Sequence, residues 1–464
     1  MRRVFSRDPQ IETSLRHSLK DARAFAVMTG SGETYFSAYA LFLRATTPQI
    51  GLLASLPPLL ASFVQLLSAW IGHLTGQRRR IILTGAGVQA ASLLPLALLP
   101  LLFPAAAVPL LIGCVVLYHA GANLATPQWS SLMGDLVPDR KRGRFFAMRT
   151  RLTSATTFAS LVVAGAALHL LSGQGVTAVA YLTLFAVAAV ARAVSWFHLS
   201  KMHDPPGHVA AMEIPLGHGR WRRLRRSPFV RFSLFFAFMQ FAVAVASPFF
   251  TVYMLRDLQF TYLQFMVNTA TTVLFQFLTL ARWGRLSDAF GNRLILATCA
   301  CVIPFLPILW TFSTNFWYLI ALQALSGLAW AGFSLGAGNF LYDLVAREKR
   351  ATYMAIHNVI ASSGIFAGAV LGGYLGAVIP GEISILGMTI VLVSPLYGVF
   401  AVSTVLRLAV VMALVPRLKE VRVVRALSVR ELIFRVTRLN ALSGLFFDVV
   451  GTRPRPGDGG RDDT

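Results

Sequence analysis

Apolar runs of roughly 20 residues, one after another, constrain this chain more than any other feature. About 20 residues of helix cross a hydrocarbon core of about 30 Å. Twelve helices are predicted, at 22–43, 50–72, 81–102, 108–132, 146–171, 176–199, 229–254, 261–283, 293–312, 316–341, 353–379 and 385–415. Of 464 residues, 56% are hydrophobic and only 13% are charged, where soluble domains carry about 25%. The expected class is an all-α integral membrane protein.

The runs fall into two sets of six because the chain contains itself twice. The stretch from Asp135 to Met148, Asp-Leu-Val-Pro-Asp-Arg-Lys-Arg-Gly-Arg-Phe-Phe-Ala-Met, reappears from Asp343 to Ile356 as Asp-Leu-Val-Ala-Arg-Glu-Lys-Arg-Ala-Thr-Tyr-Met-Ala-Ile. The offset is 343 − 135 = 208 residues without a gap. A charged loop that recurs at half the chain length, between apolar runs, marks parallel halves related by a pseudo-twofold axis. The predicted organisation is an N-terminal segment 1–21, a six-helix half 22–199, a linker 200–228, a second six-helix half 229–415 and a tail 416–464.

The net charge of +23 sits in alternate loops. Arg78 to Arg80, Arg140 to Arg144, Arg220 to Arg226, Arg282 to Arg293 and Arg347 to Arg350 hold nearly all of the loop charge. The opposite loops, such as 103–106, 172–175 and 313–315, are nearly uncharged, with only Arg44 and Arg256 basic there. Positive loops stay in the cytoplasm. The expectation is therefore a multi-pass protein of the plasma or inner membrane with both termini inside. No basic patch lies on a nucleic-acid-binding fold, so nucleic acid is excluded as a partner. Membrane lipid is the expected surroundings, and a monomer the expected state. The first apolar run lacks a short core with a cleavage site and reads as a retained span. In the tail, Ser428 and Glu431 form a capping-box pattern. Val429, Leu432, Ile433, Val436 and Leu439 recur at helical spacing among arginines, which fits a helix lying on an anionic leaflet or packed on the bundle. From Thr452 onward the composition predicts disorder.

One loop reads Gly284-Arg285-Leu286-Ser287-Asp288-Ala289-Phe290-Gly291-Asn292-Arg293. It resembles the loop motif G-x-L-[S/A]-D-x-x-G-x-[R/K] of the major facilitator superfamily. Its first-half counterpart runs from Gly72 to Arg80, keeping Gly72, Leu74 and the basic end but lacking the Asp. In that family the first copy is usually the stronger, so this chain inverts the pattern. The resemblance covers residues 22–415. It implies a transporter of alternating access, with no cofactor and no enzymatic step. It also implies a gate that closes one end of the bundle. In the second half the gate is expected from Gly284, Asp288, Gly291 and Arg293 beside Asp343 and Arg350. In the first it is expected from Gly72 and the stretch Arg78 to Arg80, Arg80 above all, with Asp135 and Arg142. Carboxylates can face helix N-termini and arginines can pair with them bidentately; plain topology signalling is the alternative.

Glu33 is the sharpest single residue. It lies mid-span in Gly30-Ser31-Gly32-Glu33-Thr34-Tyr35, where an acidic group costs on the order of 3 kcal/mol. Aligning the halves sets it opposite Ala244, so the repeat does not require it. It is read as a proton carrier or substrate contact, or as a structural hydrogen-bonding group. His119 and Asn123, four apart, share a helix face, and histidine titrates near physiological pH. Gln65, Gln240 and Gln276 are candidates to line a cavity or tie helices together. Arg149, Arg151 and Arg192 are expected to snorkel to the surface. Gly364, Gly368, Gly372 and Gly373 offer close helix contacts. Cys114, Cys299 and Cys301 lie in apolar runs and read as packing residues. No phosphate-binding loop or metal cluster is present, so ATP is not the energy source within the chain.

The expected function is membrane transport of a small neutral or amphipathic organic solute by a secondary transporter, driven by protons through Glu33 or by the substrate gradient alone. A non-transporting assembly factor or sensor on the same fold is the alternative.

Overall fold

The computed structural model describes residues 5–6, 8–138, 141–205, 227–345, 350–380, 382–385, 388–391, 394–418 and 420. The first half comprises α1 (Pro9–Ser31, continued by a 3-10 turn Glu33–Tyr35 and by Phe36–Phe42), α2 (Thr47–Thr75), α3 (Arg78–Leu102), α4 (Ala107–Leu136), α5 (Arg142–Gly173) and α6 (Thr177–Ser200). The second comprises α7 (Pro228–Ala244, resumed at Phe249–Val252), α8 (Tyr262–Phe290), α9 (Asn292–Val302, continued through Ile303–Phe305 to Leu309), α10 (Phe316–Leu344), α11 (Arg350–Val378) and α12 (Leu396–Leu414). Ten helical stretches among the described residues are long and apolar enough to cross a membrane; α1 and α3 are the two of the twelve not among them.

The repeat extends to the helix starts. α1 opens on Asp8-Pro9 and α7 on Ser227-Pro228, each a side-chain N-cap followed by a proline in the first turn, where the missing N–H costs nothing. α2 and α8 open on reciprocal capping boxes, Thr46 with Gln49 and Thr261 with Gln264, which satisfy donors that have no helical partner. The packing repeats as well. α1 lies against α5 and α6 as α7 lies against α11 and α12, and α4 contacts α2 and α3 as α10 contacts α8 and α9. α2 against α11 and α5 against α8 join the halves.

Small residues set the closest approaches. Gly364, Gly368 and Gly372 place α11 directly on the backbone of α7, under the carbonyls of Ala237, Phe241 and Val245. Gly373 turns instead toward Pro48 of α2, and Gly51 of α2 faces the carbonyl of Ala369. Such spacing lets helix backbones meet without a hydrophobic driving force. Side chains such as Val163, Leu170, Val190, Val405 and Met412 are exposed, as lipid-facing positions are.

Four expectations change. The first helix begins at Pro9, not residue 22, so much of the supposed N-terminal segment belongs to α1. Helix 7 is not continuous to residue 254 but breaks over 245–248, ahead of a short turn of helix and a π turn at Tyr253–Asp257. The twelfth helix starts at Leu396, not residue 385. Before it, β1 (Glu382–Ile385) and β2 (Met388–Val391) form an antiparallel hairpin with Ile383 opposite Ile390. The arginine-rich part of the linker and the tail with Ser428 and Glu431 lie outside the described residues.

Candidate functional site

Both first helices of the halves are interrupted at matching places, and the two interruptions carry different chemistry. α1 yields at Gly32, and Glu33 opens the 3-10 turn that follows. α7 yields at Val245–Pro248, where Val245 and Ala246 are fully buried. Glu33 is not alone: the Tyr118 hydroxyl of α4 donates to its Oε2 at 2.9 Å. Tyr118 is buried beneath Phe36, whose ring meets it edge-on at 5.3 Å. His119, next on α4, lies within electrostatic reach of the carboxylate. Asn123 donates to the carbonyl of His119 in its own helix at 3.0 Å. Of the polar candidates in the first half, Glu33 and His119 are thus brought together, and Tyr118 is the partner the residue pattern did not expose.

A second polar cluster continues from Tyr118 toward the basic-loop end of the same half. Tyr118 has Gln89 within hydrogen-bond reach and Arg192 within electrostatic reach. Arg192, only 4% exposed, donates through Nη1 to Ser195 Oγ at 2.6 Å, and Ser195 donates to Asp21 Oδ1 at 2.7 Å. Arg149 Nη2 reaches Asp21 Oδ2 at 3.3 Å, and its guanidinium lies 4.3 Å over the Trp129 ring. Arg149 and Arg192 therefore do not snorkel outward; they turn inward to Asp21.

Gln65 receives a hydrogen bond from Asn358 of α11 at 3.1 Å, a polar contact across the two halves. Gln240 of α7 has a buried Oε1 with no partner among the described residues. Gln276 of α8 lies where Gly327 of α10 packs, and no hydrogen bond of its side chain is found among the described residues. The three glutamines therefore occupy three different places and form no common cluster.

At the basic-loop end, the repeated aspartates each meet the first residue of the third helix of their half. Arg78, 2% exposed, donates to Asp135 Oδ2 at 2.5 Å, to Asp204 Oδ1 at 2.5 Å and to the carbonyl of Pro205 at 2.7 Å. In the second half Asn292 donates to Asp343 Oδ2 at 2.7 Å and accepts from Ser287. Arg80 instead donates to Gln77 at 2.8 Å, and the backbone N–H of Arg293 donates to Glu420 at 2.8 Å. Gly72 leaves room for the Gln128 amide, which donates to the Ser68 carbonyl at 2.8 Å. Gly291 has φ 89°, a conformation that favours glycine. Gly284 faces open space. The side chains of Arg142, Asp288 and Arg350 lie outside the described residues. The residues seen on the two aspartates are thus Arg78, within the expected stretch Arg78 to Arg80, and Asn292, the neighbour of the expected Arg293.

Arg407 of α12 stood outside the sequence reading. It is 2% exposed and donates to the carbonyls of Ile303 at 3.2 Å and Val243 at 3.3 Å. Four residues earlier Ser403 donates to the Ala242 carbonyl at 2.6 Å. A lone arginine in an apolar run resembles a snorkelling residue, so sequence alone gave no sign that this one grips two helix breaks.

Among solved structures, a nucleoside transporter, NupG, superposes with a TM-score of 0.66 at 14% identity, over 87% of this chain and 99% of that one. A bacterial homologue of the iron transporter ferroportin, in an inward-facing state, superposes with a TM-score of 0.64 at 12% identity, over 89% and 99%. Likeness at such identity speaks for the fold alone. Among curated relatives, the multidrug resistance protein MdtG of Proteus mirabilis (strain HI4320) is 31% identical over 109 residues, 24% of this chain and 27% of the relative. An MFS-type transporter, ppz2, of Metarhizium majus (strain ARSEF 297) is 29% identical over 93 residues, 20% of this chain and 16% of the relative. The chain thus spans well under a third of the length of either. The family profile described as Major Facilitator Superfamily matches residues 24–253 and again 232–447. With both halves matched, and with twelve helices in two repeated sets, the chain belongs to the Major Facilitator Superfamily.

Proposed function

We propose that this protein is a secondary transporter that moves a small neutral or amphipathic organic solute by alternating access, coupled to protons through Glu33. The observation that carries the reading is a carboxylate at the broken middle of α1, held by one hydroxyl from α4. An intramembrane carboxylate with a single neutral partner is placed to load and release a proton as its access changes. The basic-loop end is assigned to the cytoplasm of the plasma or inner membrane by its arginines. The contacts of Arg78 with Asp135 and of Asn292 with Asp343 are assigned to the cytoplasmic gate, where helices 2, 3 and 4 of each half meet.

The test is flux in proteoliposomes with and without an imposed pH gradient, using a panel of neutral and amphipathic solutes. Gradient-driven accumulation is expected for at least one solute in the parent. It is expected to fall to the unenergised level in Glu33→Gln, which keeps shape but does not titrate. Accumulation by Glu33→Gln equal to the parent removes the proton role. No flux for any solute, with the protein folded, favours the assembly-factor or sensor reading.

A further inference from the structure

The second half contains a cavity with no counterpart in the chemistry of Glu33. It measures about 250 Å³ and lies between α7, α10 and α11. Four of its ten described lining residues, Phe236, Trp330, Phe333 and His357, carry aromatic rings. Phe236 sits 4.9 Å from His357 and 6.1 Å from Phe333, stacked on the latter, and Trp330 meets Phe333 edge-on at 5.5 Å. The rings continue behind the wall, where Phe232 stacks on His357 at 5.8 Å. Ser233 Oγ lies 3.0 Å from His357 Nδ1, which fixes that ring in its plane. Among the described residues, no Asp, Glu, Lys or Arg lines the cavity.

Two amides complete it. Gln240 brings a buried Oε1 that no described donor satisfies. Asn358 lines the cavity and also donates to Gln65 of α2, so the site touches the other half through one hydrogen bond. A buried acceptor without a partner is costly, and a ligand that supplies the missing donor recovers that cost. Flat aromatic walls favour a flat ring, by offset or edge-on contact. The absence of lining charge disfavours an ionic solute, whose desolvation nothing here would offset. The volume lies just below the usual range for pockets that hold drug-sized ligands, so it suits one or two fused rings.

We infer that this cavity binds a neutral planar aromatic solute of one or two rings that carries an N–H or O–H donor, its ring against Phe236, Phe333 and Trp330 and its donor on Gln240 Oε1. The inference rests on the transporter reading and narrows its solute class. The Asn358–Gln65 bond places the occupied pocket in contact with the helix pair that joins the halves.

The experiment is equilibrium binding to full-length protein in nanodiscs, with two matched pairs of radiolabelled probes. Theophylline and caffeine differ by one N–H replaced by N–CH₃, as do benzimidazole and 1-methylbenzimidazole. In at least one pair the N–H member should bind about tenfold tighter than its methylated partner, the size of one buried hydrogen bond lost. In Gln240→Leu that ratio should fall to about one, with the unfolding temperature of the protein kept. Phe236→Ala, which leaves Gln240 in place, should weaken both members alike. Equal binding within both pairs, no binding of any of the four, or a ratio that survives Gln240→Leu overturns the assignment. Flux of aliphatic solutes without binding of these probes removes the aromatic site and leaves the transporter standing. Probe binding with the expected ratio but no flux of any solute does the reverse.

Discussion

The two halves of this protein share a plan and differ in how they hold it. At the start of the third helix of each half, one residue bonds the repeated aspartate. In the first half it is Arg78, which adds Asp204 and the carbonyl of Pro205, beyond the end of α6. In the second it is Asn292, a neutral amide on Asp343. The sixth helices differ in the same way. Arg192 reaches a carboxylate through Ser195, whereas among the described residues Arg407 donates to backbone carbonyls. At these two positions the described contacts are ion pairs in the first half and amide or carbonyl hydrogen bonds in the second. A repeated fold therefore fixes where a polar group must stand but not whether it is charged. Charge raises the cost of losing a partner, because the survivor is left buried.

That difference can be broken by substitution, and the largest effect is expected at Arg78. Arg78→Asn gives the first half the amide that Asn292 places on Asp343 in the second. It should cost about 3 kcal/mol, at the lower end for a broken buried pair because both aspartates are partly solvated. The unfolding temperature in detergent would report it. Asn292→Ala should cost about 1 kcal/mol in the same assay. Equal losses would erase the contrast between the halves.

Next comes Asp21. Asp21→Asn leaves Arg149 and Arg192 without their shared counter-charge and should cost about 2–3 kcal/mol. Arg407→Met, which replaces a buried cation by an apolar chain of similar length, should cost about 1 kcal/mol or less, since such swaps are often near neutral. A larger loss for Arg407→Met than for Asp21→Asn would show that the carbonyl grip outweighs the ionic one.

The smallest effect concerns pH at the start of α1. Burial alone would raise the pKa of Glu12, but hydrogen bonds from the Ser6 and Phe5 amides and the pairing with Arg16 hold it below the usual carboxylate range. A lowered folded pKa contributes stability above the unfolded value of about 4.3, and that contribution is lost as pH falls through the folded one. Amide exchange at Phe5 and Ser6 should therefore be slow at neutral pH relative to Glu12→Gln, and the two proteins should converge as pH drops below about 4. A difference that persists unchanged in acid would remove Glu12 as the anchor.

Much of the architecture was legible in the residue order, because run length and a repeated charged loop are one-dimensional signals. The helix starts of α2 to α11 fall within four residues of expectation for most elements, and Glu33 stood out because charge is rare in lipid. The partners were not legible. Tyr118 and Asp21 matter through neighbours that lie far away in sequence, and Asp21 was hidden inside a polar stretch that turned out to be the first turns of α1. The hairpin at 382–391 was absorbed into a helical run by its apolar character. Its signal was present in Ile383, Ile385, Thr389, Ile390 and Val391, β-branched residues flanking Gly387, a composition that favours strands over helix. Arg78 stood in the expected first-half stretch Arg78 to Arg80, but Asn292 did not stand beside Arg293 in the second, because a loop pattern does not say which side chain points inward.

Arg407 makes α12 more than a wall facing lipid. Its guanidinium holds one carbonyl at the break of α7 and one at the 3-10 turn of α9, and Ser403 adds a third contact beside the first. The two interruptions are thereby joined by a tie-rod. A change of angle at either one drags the shared cation, and with it the other. The second half thus carries a polar link between its two interruptions, whereas the break at Gly32 is joined to α4 through the Tyr118 hydroxyl on Glu33 and to α5 through the Tyr35 hydroxyl on the Leu161 carbonyl.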